Sequence, residues 1–220
     1  MLRNEIERIV AKSILEVCGS SPYKLILPHL RNSLLIDEIL DDIDAFSLKD
    51  PASKNNPRNI LYGYTSFNAV FYYRISHYLL NMNINNLDFI KNKYQYALIL
   101  SSKGKLLSGA EINPYAKIGK RFILDHGIGT VIGETAEIGD DCYMLGGVIL
   151  GAKGISNNPE GIRHPRIGNN VQIGSFSKLF GAITIGNNVF IGSGCVITEN
   201  IPDNYMVYVK TENQLIKGNS

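Results

Sequence analysis

Charge of a single sign, cysteine, histidine and long apolar runs are all scarce in this chain, and each scarcity removes a class of function. Lys and Arg number 22 against 20 Asp and Glu in 220 residues, a net charge of +2. That leaves no basic field of the kind phosphate backbones require, so nucleic acid is not an expected partner. No apolar run approaches the roughly 18 residues of a membrane span. The opening MLRNEIERIV alternates charges where a secretory leader would be apolar, so the expectation is a cytoplasmic protein without a membrane partner. Three cysteines, Cys18, Cys142 and Cys195, are too few and too scattered for a disulfide framework or a CxxC metal site. They read as small buried apolar residues.

Glycine is nearly absent from the first hundred residues, where only Gly19 and Gly63 occur; the other 19 of 21 lie beyond. A shift this abrupt marks a boundary, placed where SSKGKLLSG at 101–109 reads as a polar linker. The first half has helical spacing. Ile6, Ile9, Val10, Ile14 and Val17 form one apolar face, GSSP at 19–22 stops that helix, and Leu30, Leu34, Leu35, Ile39, Ile43 and Phe46 form a second series. A third helix is expected from about Ser66 to Leu80.

The second half repeats every six residues. Ile167, Ile173, Leu179, Ile185, Ile191 and Ile197 keep that step without exception. Ile112, Ile118 and Leu124, then Ile132, Ile138 and Met144, keep it too, but slip by two residues at Asp125-His126. Hexapeptide periodicity is the signature of a parallel β-helix, in which each aliphatic side chain enters a narrow core. Between Leu150 and Ile167 the rhythm fails at GAKGISNNPEGIRHPR, a loop too polar and too rich in Gly and Pro to continue the coil. Loops that interrupt a rigid scaffold concentrate function.

Two of the four histidines, His126 and His164, sit at these breaks in the repeat. A histidine inside such a core is ordinarily structural, but Glu111 lies almost one coil earlier, where a carboxylate orients an imidazole for general-base work. No Ser or Cys pairs with His126 as a nucleophile, which favours direct transfer over a covalent intermediate. Two histidines fall short of a three-imidazole zinc centre, and His29 and His77 belong to the helical half. No metal is expected.

Several segments are more specific than the period. DPA at 50–52, SFNAVFYYRISHYLL at 66–80, EINPYAKIG at 111–119, LDHGIGTVIGETAEIGDD at 124–141, and LGAKG with RHPRIG in the loop resemble the serine O-acetyltransferases. The resemblance covers roughly residues 47 to 202. It implies acetyl transfer from acetyl-CoA to the hydroxyl of L-serine or a similar small acceptor. It also implies a left-handed β-helix and a site between neighbouring subunits of a homotrimer or dimer of trimers. On this resemblance His126 is the general base, Glu111 its orienting carboxylate, and His164 a neighbour of the reacting groups. Asp50 and Asp125 hold the acceptor ammonium, and Arg163 clamps its carboxylate in a bidentate pair that lysine could not reproduce. Gly151, Ala152, Lys153, Gly154, Ser175, Ser177 and Lys178 fall at the cofactor-lining stretches.

The sequence also departs from the family pattern. Asn113 and Asn68 stand where histidines are usual, the loop before Arg163 is longer, and Phe176 enters a stretch of small residues, where it narrows the groove for pantetheine. Val207-Tyr208-Val209-Lys210 replaces the usual turn, and the tail to Ser220 lacks the terminal isoleucine that docks into cysteine synthase; that partner is not expected. The alternatives are an O-acetyltransferase for another amino acid or a sugar hydroxyl, and a catalytically silent relative. The expected organisation is an N-terminal helical domain at 1–104, a left-handed parallel β-helix at 105–206 with an inserted loop at about 151–166, and a tail at 207–220.

Overall fold

The structure, a computed structural model, describes residues 2–30, 33–158 and 160–210. The tail expectation about cysteine synthase falls on residues 211–220, outside the described residues. Helix α1 (Leu2–Cys18) buries Ile6, Val10, Ile14 and Cys18. It ends at Gly19, whose φ of +77° suits a residue without a β-carbon. The first helix stops at GSSP as expected, but only Gly19 lies between helices. Ser20–Pro22 open α2 (Ser20–Leu30), because proline is tolerated in a first turn, where its missing N–H has no partner to lose. Leu30 therefore closes α2 and does not belong to α3 (Leu35–Lys49).

After α3 come a 3-10 turn at Pro51–Ser53, α4 (Pro57–Gly63), α5 (Phe67–Asn81) and α6 (Leu87–Ser108). The segment read as a polar linker is instead the last turns of α6. Gly104 lies there against α5, and a β-carbon would stand 3.0 Å from Tyr72 Cβ and 3.2 Å from the Asn68 carbonyl. This glycine serves close helix packing rather than flexibility. Gly109, at φ +74°, caps the helix by donating its N–H to the Lys105 carbonyl.

Fourteen short strands follow: β1 (Glu111–Ile112), β2 (Lys117–Ile118), β3 (Ile123–Leu124), β4 (Val131–Ile132), β5 (Glu137–Ile138), β6 (Tyr143–Met144), β7 (Ile149–Gly151), β8 (Arg166–Ile167), β9 (Gln172–Ile173), β10 (Lys178–Phe180), β11 (Thr184–Ile185), β12 (Phe190–Ile191), β13 (Val196–Ile197) and β14 (Met206–Val207). They form three parallel sheets, A (β1-β4-β7-β10-β13), B (β2-β5-β8-β11) and C (β3-β6-β9-β12-β14). The chain visits A, B and C in turn, as a left-handed parallel β-helix. Registers report each break directly. Lys178 pairs with Val196, eighteen residues on, or three hexads, whereas Glu111 pairs with Val131, twenty on, and Ile149 with Lys178, twenty-nine on. The aliphatic residue of each strand stacks inward, so Ile132, Leu150 and Leu179 are fully buried.

The helices close the first coil, whose outward backbone groups would otherwise be an open sheet edge. Tyr73 Oη donates to the Ala116 carbonyl at 2.7 Å and accepts from Ile118 N at 3.1 Å. Arg74 donates to the carbonyls of Ile118 and Gly119 at 2.7 and 2.5 Å while paired with buried Asp42, whose Oδ1 accepts from Phe122 N at 2.9 Å. A buried ion pair costs desolvation, and these additional bonds offset it. Helices and coil thus share one apolar core.

Candidate functional site

The corners leading from sheet C to sheet A hold four residues between strands, except at the first, where Asp125–Thr130 supply six. The two extra residues push the backbone outward. His126, Gly127 and Gly129 all take left-handed conformations, with φ of +61°, +64° and +77°, and Ile128 N–H donates to the His126 carbonyl at 2.7 Å. Gly127 is needed for a second reason: a β-carbon there would stand 3.0 Å from Ser66 Cβ, at the start of α5. His126 is therefore not a core residue. Its side chain is 81% exposed, and Nε2 lies 3.8 Å from Asp125 Oδ2.

Two carboxylates face this histidine's cavity, each held by a tyrosine. Asp125 Oδ2 accepts from Tyr143 Oη at 3.0 Å, and Asp50 Oδ2 accepts from Tyr64 Oη at 2.5 Å. Asp50 is also a cap, since its Oδ1 accepts from Ala52 N at 2.9 Å ahead of the 3-10 turn; one oxygen sets the backbone and the other faces the site. Phe46 meets both tyrosine rings edge-on, at 5.2 and 6.4 Å. The hydrogen bond to Asp50, helped by burial and the nearby carboxylates, pushes the Tyr64 phenol up to about 12. Burial, then the charge of Asp125, raises Tyr143 as well. Both phenols thus remain donors at neutral pH. Asp50, Tyr64, Ser66, Asp125, His126, Ser175 and Phe176 line a cavity of about 830 Å³.

The corner from sheet A to sheet B carries the other cluster. Glu134 and Thr135 follow β4, and the inserted loop returns Arg163 and His164 beside them before β8. Arg163 Nη2 pairs with Glu134 Oε2. Thr135 Oγ1 accepts from Arg163 N at 3.0 Å and from His164 N at 3.2 Å, and lies 2.8 Å from His164 Nδ1, which Thr135 N also approaches at 3.2 Å. The ring rests on Gly133, where a β-carbon would collide with Cδ2 and Nε2 at 2.1 Å. Burial, and then the charge of Arg163, lowers the His164 pKa, while Glu134 opposes them.

The chain thus brings Asp50, Asp125, His126 and Ser175 together at one corner and Arg163 with His164 at another. Glu111 joins neither. It stands on sheet A, in register with Val131, and its Oε2 binds Lys105 Nζ at 2.5 Å. The expected orienting contact to His126 is absent among the described residues, because His126 occupies the corner before a strand and Glu111 the strand itself. The carboxylate beside His126 is Asp125. Ser177 also departs from expectation: it is fully buried and donates to the Gly192 carbonyl at 2.9 Å, inside the coil, so its hydroxyl cannot line a groove.

Of the remaining expected cofactor residues, Gly151 ends β7 against Phe180, and Ala152, Lys153 and Gly154 open the loop, which Asn158 closes with bonds of 3.1 and 3.0 Å to Gly154. Lys178 is exposed on sheet A, and Phe176 is 71% exposed. Sequence reasoning missed Tyr64, Tyr143, Glu134 and Thr135. Glu134 and Thr135 lay inside a segment already singled out, but the tyrosines carried no motif. Among the described residues no group of three or more His, Cys, Asp or Glu is arranged to hold a metal, and no helix is long and apolar enough to cross a membrane.

Comparison with known proteins gives this geometry a family. The family model described as bacterial transferase hexapeptide (six repeats) matches residues 164–199. The chain is 36% identical over 184 residues to a serine acetyltransferase of Staphylococcus aureus strain MSSA476, covering 84% of this chain and 79% of that one. Among solved structures, it resembles Neisseria gonorrhoeae serine acetyltransferase in complex with serine, with TM-score 0.74 and 28% identity over 92% of this chain and 80% of the other. It also resembles Brucella abortus serine acetyltransferase in complex with coenzyme A, with TM-score 0.73 and 28% identity over 91% and 78%. A β-helix with these two corner clusters, matched along most of its length by such relatives, belongs to the serine acetyltransferase family.

Proposed function

We propose that this chain transfers the acetyl group of acetyl-CoA to the hydroxyl of L-serine, at a site completed between neighbouring subunits of a cytoplasmic trimer. The observation that carries this reading is the exposed imidazole of His126 beside two tyrosine-held carboxylates in one cavity. Asp50 and Asp125 supply the negative pair that an ammonium group requires, and Arg163 supplies the planar cation that a carboxylate requires. In one chain these stand at opposite edges of sheet A. A threefold assembly of triangular prisms sets the C-to-A corner of one subunit against the A-to-B corner of the next, which unites them.

Acetyl-CoA contributes a thioester-activated acetyl group. His126 takes the acceptor's hydroxyl proton as that oxygen bonds to the acetyl carbon, and returns the proton to the departing thiolate sulfur. The lining fits such a substrate. Gly129 and Gly147 stack along the C-to-A corner, Phe176 takes the equivalent place on the next coil with its ring over Gly147, and beyond it the position of a β-carbon on Gly194 is open space. Exposed Phe176 offers an apolar surface to the pantetheine arm, and exposed Lys153 and Lys178 offer charge to phosphates.

The pairing of Arg163 with Glu134 favours a second reading, in which the acceptor has no carboxylate and the guanidinium is structural. Thiol release from acetyl-CoA, with L-serine, homoserine, threonine and simple sugars as acceptors, separates the two. Turnover with L-serine that Arg163→Ala weakens through KM is the expected result. Turnover with sugars alone, indifferent to Arg163→Ala, supports the second reading, and no turnover with any amino acid from folded protein ends the first.

A further inference from the structure

We propose that Thr135 is a positioning residue that holds His164 as a neutral imidazole with its proton on Nε2, so that His164 enters the site as a hydrogen-bond donor and not as a second base. The proposal rests on the functional reading above only for its catalytic consequence. Its structural content stands on the bonds around one ring nitrogen.

A backbone N–H can only donate, so the contact of Thr135 N with His164 Nδ1 at 3.2 Å requires a lone pair on Nδ1. The hydroxyl leads to the same answer. Its oxygen already accepts from Arg163 N and His164 N, so its single proton is directed to Nδ1, 2.8 Å away. With two donors aimed at Nδ1, the neutral ring carries its proton on Nε2. Protonating the ring would set an N–H against both donors, and Arg163 adds a like charge that only Glu134 opposes. The ring is packed against Gly133, where a β-carbon would overlap Cδ2 and Nε2.

Nε2 makes no hydrogen bond among the described residues; although His164 as a residue is only 8% exposed, this nitrogen is not among the fully buried atoms without a partner, so it stays open to solvent or a ligand. An N–H left in that state suits an oxygen of the bound acceptor or of the acetyl group. It follows that a single imidazole, His126, is available to remove a proton. The same hydroxyl fixes the backbone of Arg163 and His164 across 28 and 29 residues of chain, so one side chain sets both the tautomer and the end of the inserted loop.

The test is ¹⁵N-histidine NMR near neutral pH on the full chain, with His164→Gln used to assign one of the four histidines. The expected spectrum shows His164 with Nε2 protonated and Nδ1 bare in the wild type and in Thr135→Ser, and a measurable Nδ1–H fraction in Thr135→Val, where of the two donors to Nδ1 only the backbone N–H at 3.2 Å is left. In the acetyl-transfer assay, Thr135→Val is expected to lower kcat on the order of tenfold, as loss of one buried hydrogen bond implies, and Thr135→Ser to restore most of it. An imidazolium or an Nδ1–H tautomer in the wild type overturns the proposal. So does an unchanged tautomer in folded Thr135→Val, which would leave the hydroxyl a loop tether only. If Thr135→Val does not fold, the wild-type and Thr135→Ser spectra decide. The spectra need no turnover: a protein with the Nε2–H tautomer but no acetyl transfer would refute the function reading and leave the tautomer assignment standing.

Discussion

The two corners that flank sheet A carry one histidine each, and the protein treats them in opposite ways. At the C-to-A corner two extra residues lift His126 into solvent on a left-handed backbone, with a carboxylate 3.8 Å away. At the A-to-B corner a glycine and a threonine enclose His164 and saturate one of its nitrogens. The same side chain is exposed to solvent in one place, and held as a fixed donor in the other. In a β-helix the difference needs no new element, since a corner changes character by adding residues or by receiving a loop.

The largest effect expected from disturbing this contrast is on turnover. His126→Ala should lower kcat for acetyl transfer by on the order of 10²- to 10⁴-fold, the usual range for a general base, with little change in melting temperature; a variant that keeps wild-type kcat would remove His126 from the mechanism. Gly133→Ala acts at the other corner through packing. Its methyl occupies the place of the His164 ring, so unfolding in urea should show a loss of about 1–3 kcal/mol, together with loss of the His164 NMR signature.

Smaller changes sharpen the picture. Tyr143→Phe removes the donor that orients Asp125, and KM for L-serine should rise by up to about tenfold while kcat holds; an equal fall in both kcat and kcat/KM would instead place the tyrosine in the chemical step. The lowered pKa of His164 also has a stability consequence. Because the unfolded chain binds this proton more readily than the folded one, the contribution is complete above the ordinary imidazole value of about 6.5 and is lost as pH falls toward the lowered folded value. Denaturation of His164→Gln should show a shallower loss of stability on acidification than the wild type. Smallest is Thr130→Val, near the lifted corner. Thr130 Oγ1 is buried with no partner among the described residues, so an isosteric methyl should be neutral or stabilising by about 1 kcal/mol, read as an unchanged or raised Tm.

Much of this was visible before the fold. The hexads from Ile167 to Ile197 and the breaks at Asp125-His126 and after Leu150 predict the coil, the place of its irregular corner and the inserted loop, because each hexad reports its own strand without reference to distant residues; that the corner lifts His126 out of the core is seen only in the structure. The helix expected over 66–80 is α5, Phe67–Asn81. The reading of 101–109 as linker failed because its polar residues face the coil usefully: Ser101 Oγ donates to the Ile112 carbonyl at 2.7 Å, a bond with no local signature. The pairing of Glu111 with His126 rests on sequence spacing and on the family resemblance, and neither tells a strand from the corner that precedes it.

By itself the sequence determined the repeat, the place of each interruption and the residue types gathered there, since periodic burial is a local property of the chain. Only the tertiary structure decided which oxygen meets which hydrogen. Tyr64 reaches Asp50 across 14 residues, Tyr143 reaches Asp125 across 18, and Thr135 reaches His164 across 29. The first separation is set by the 3-10 turn and α4, the second by coil length and the third by the loop insertion, and a hydrogen bond forms only where these place two atoms within about 3 Å.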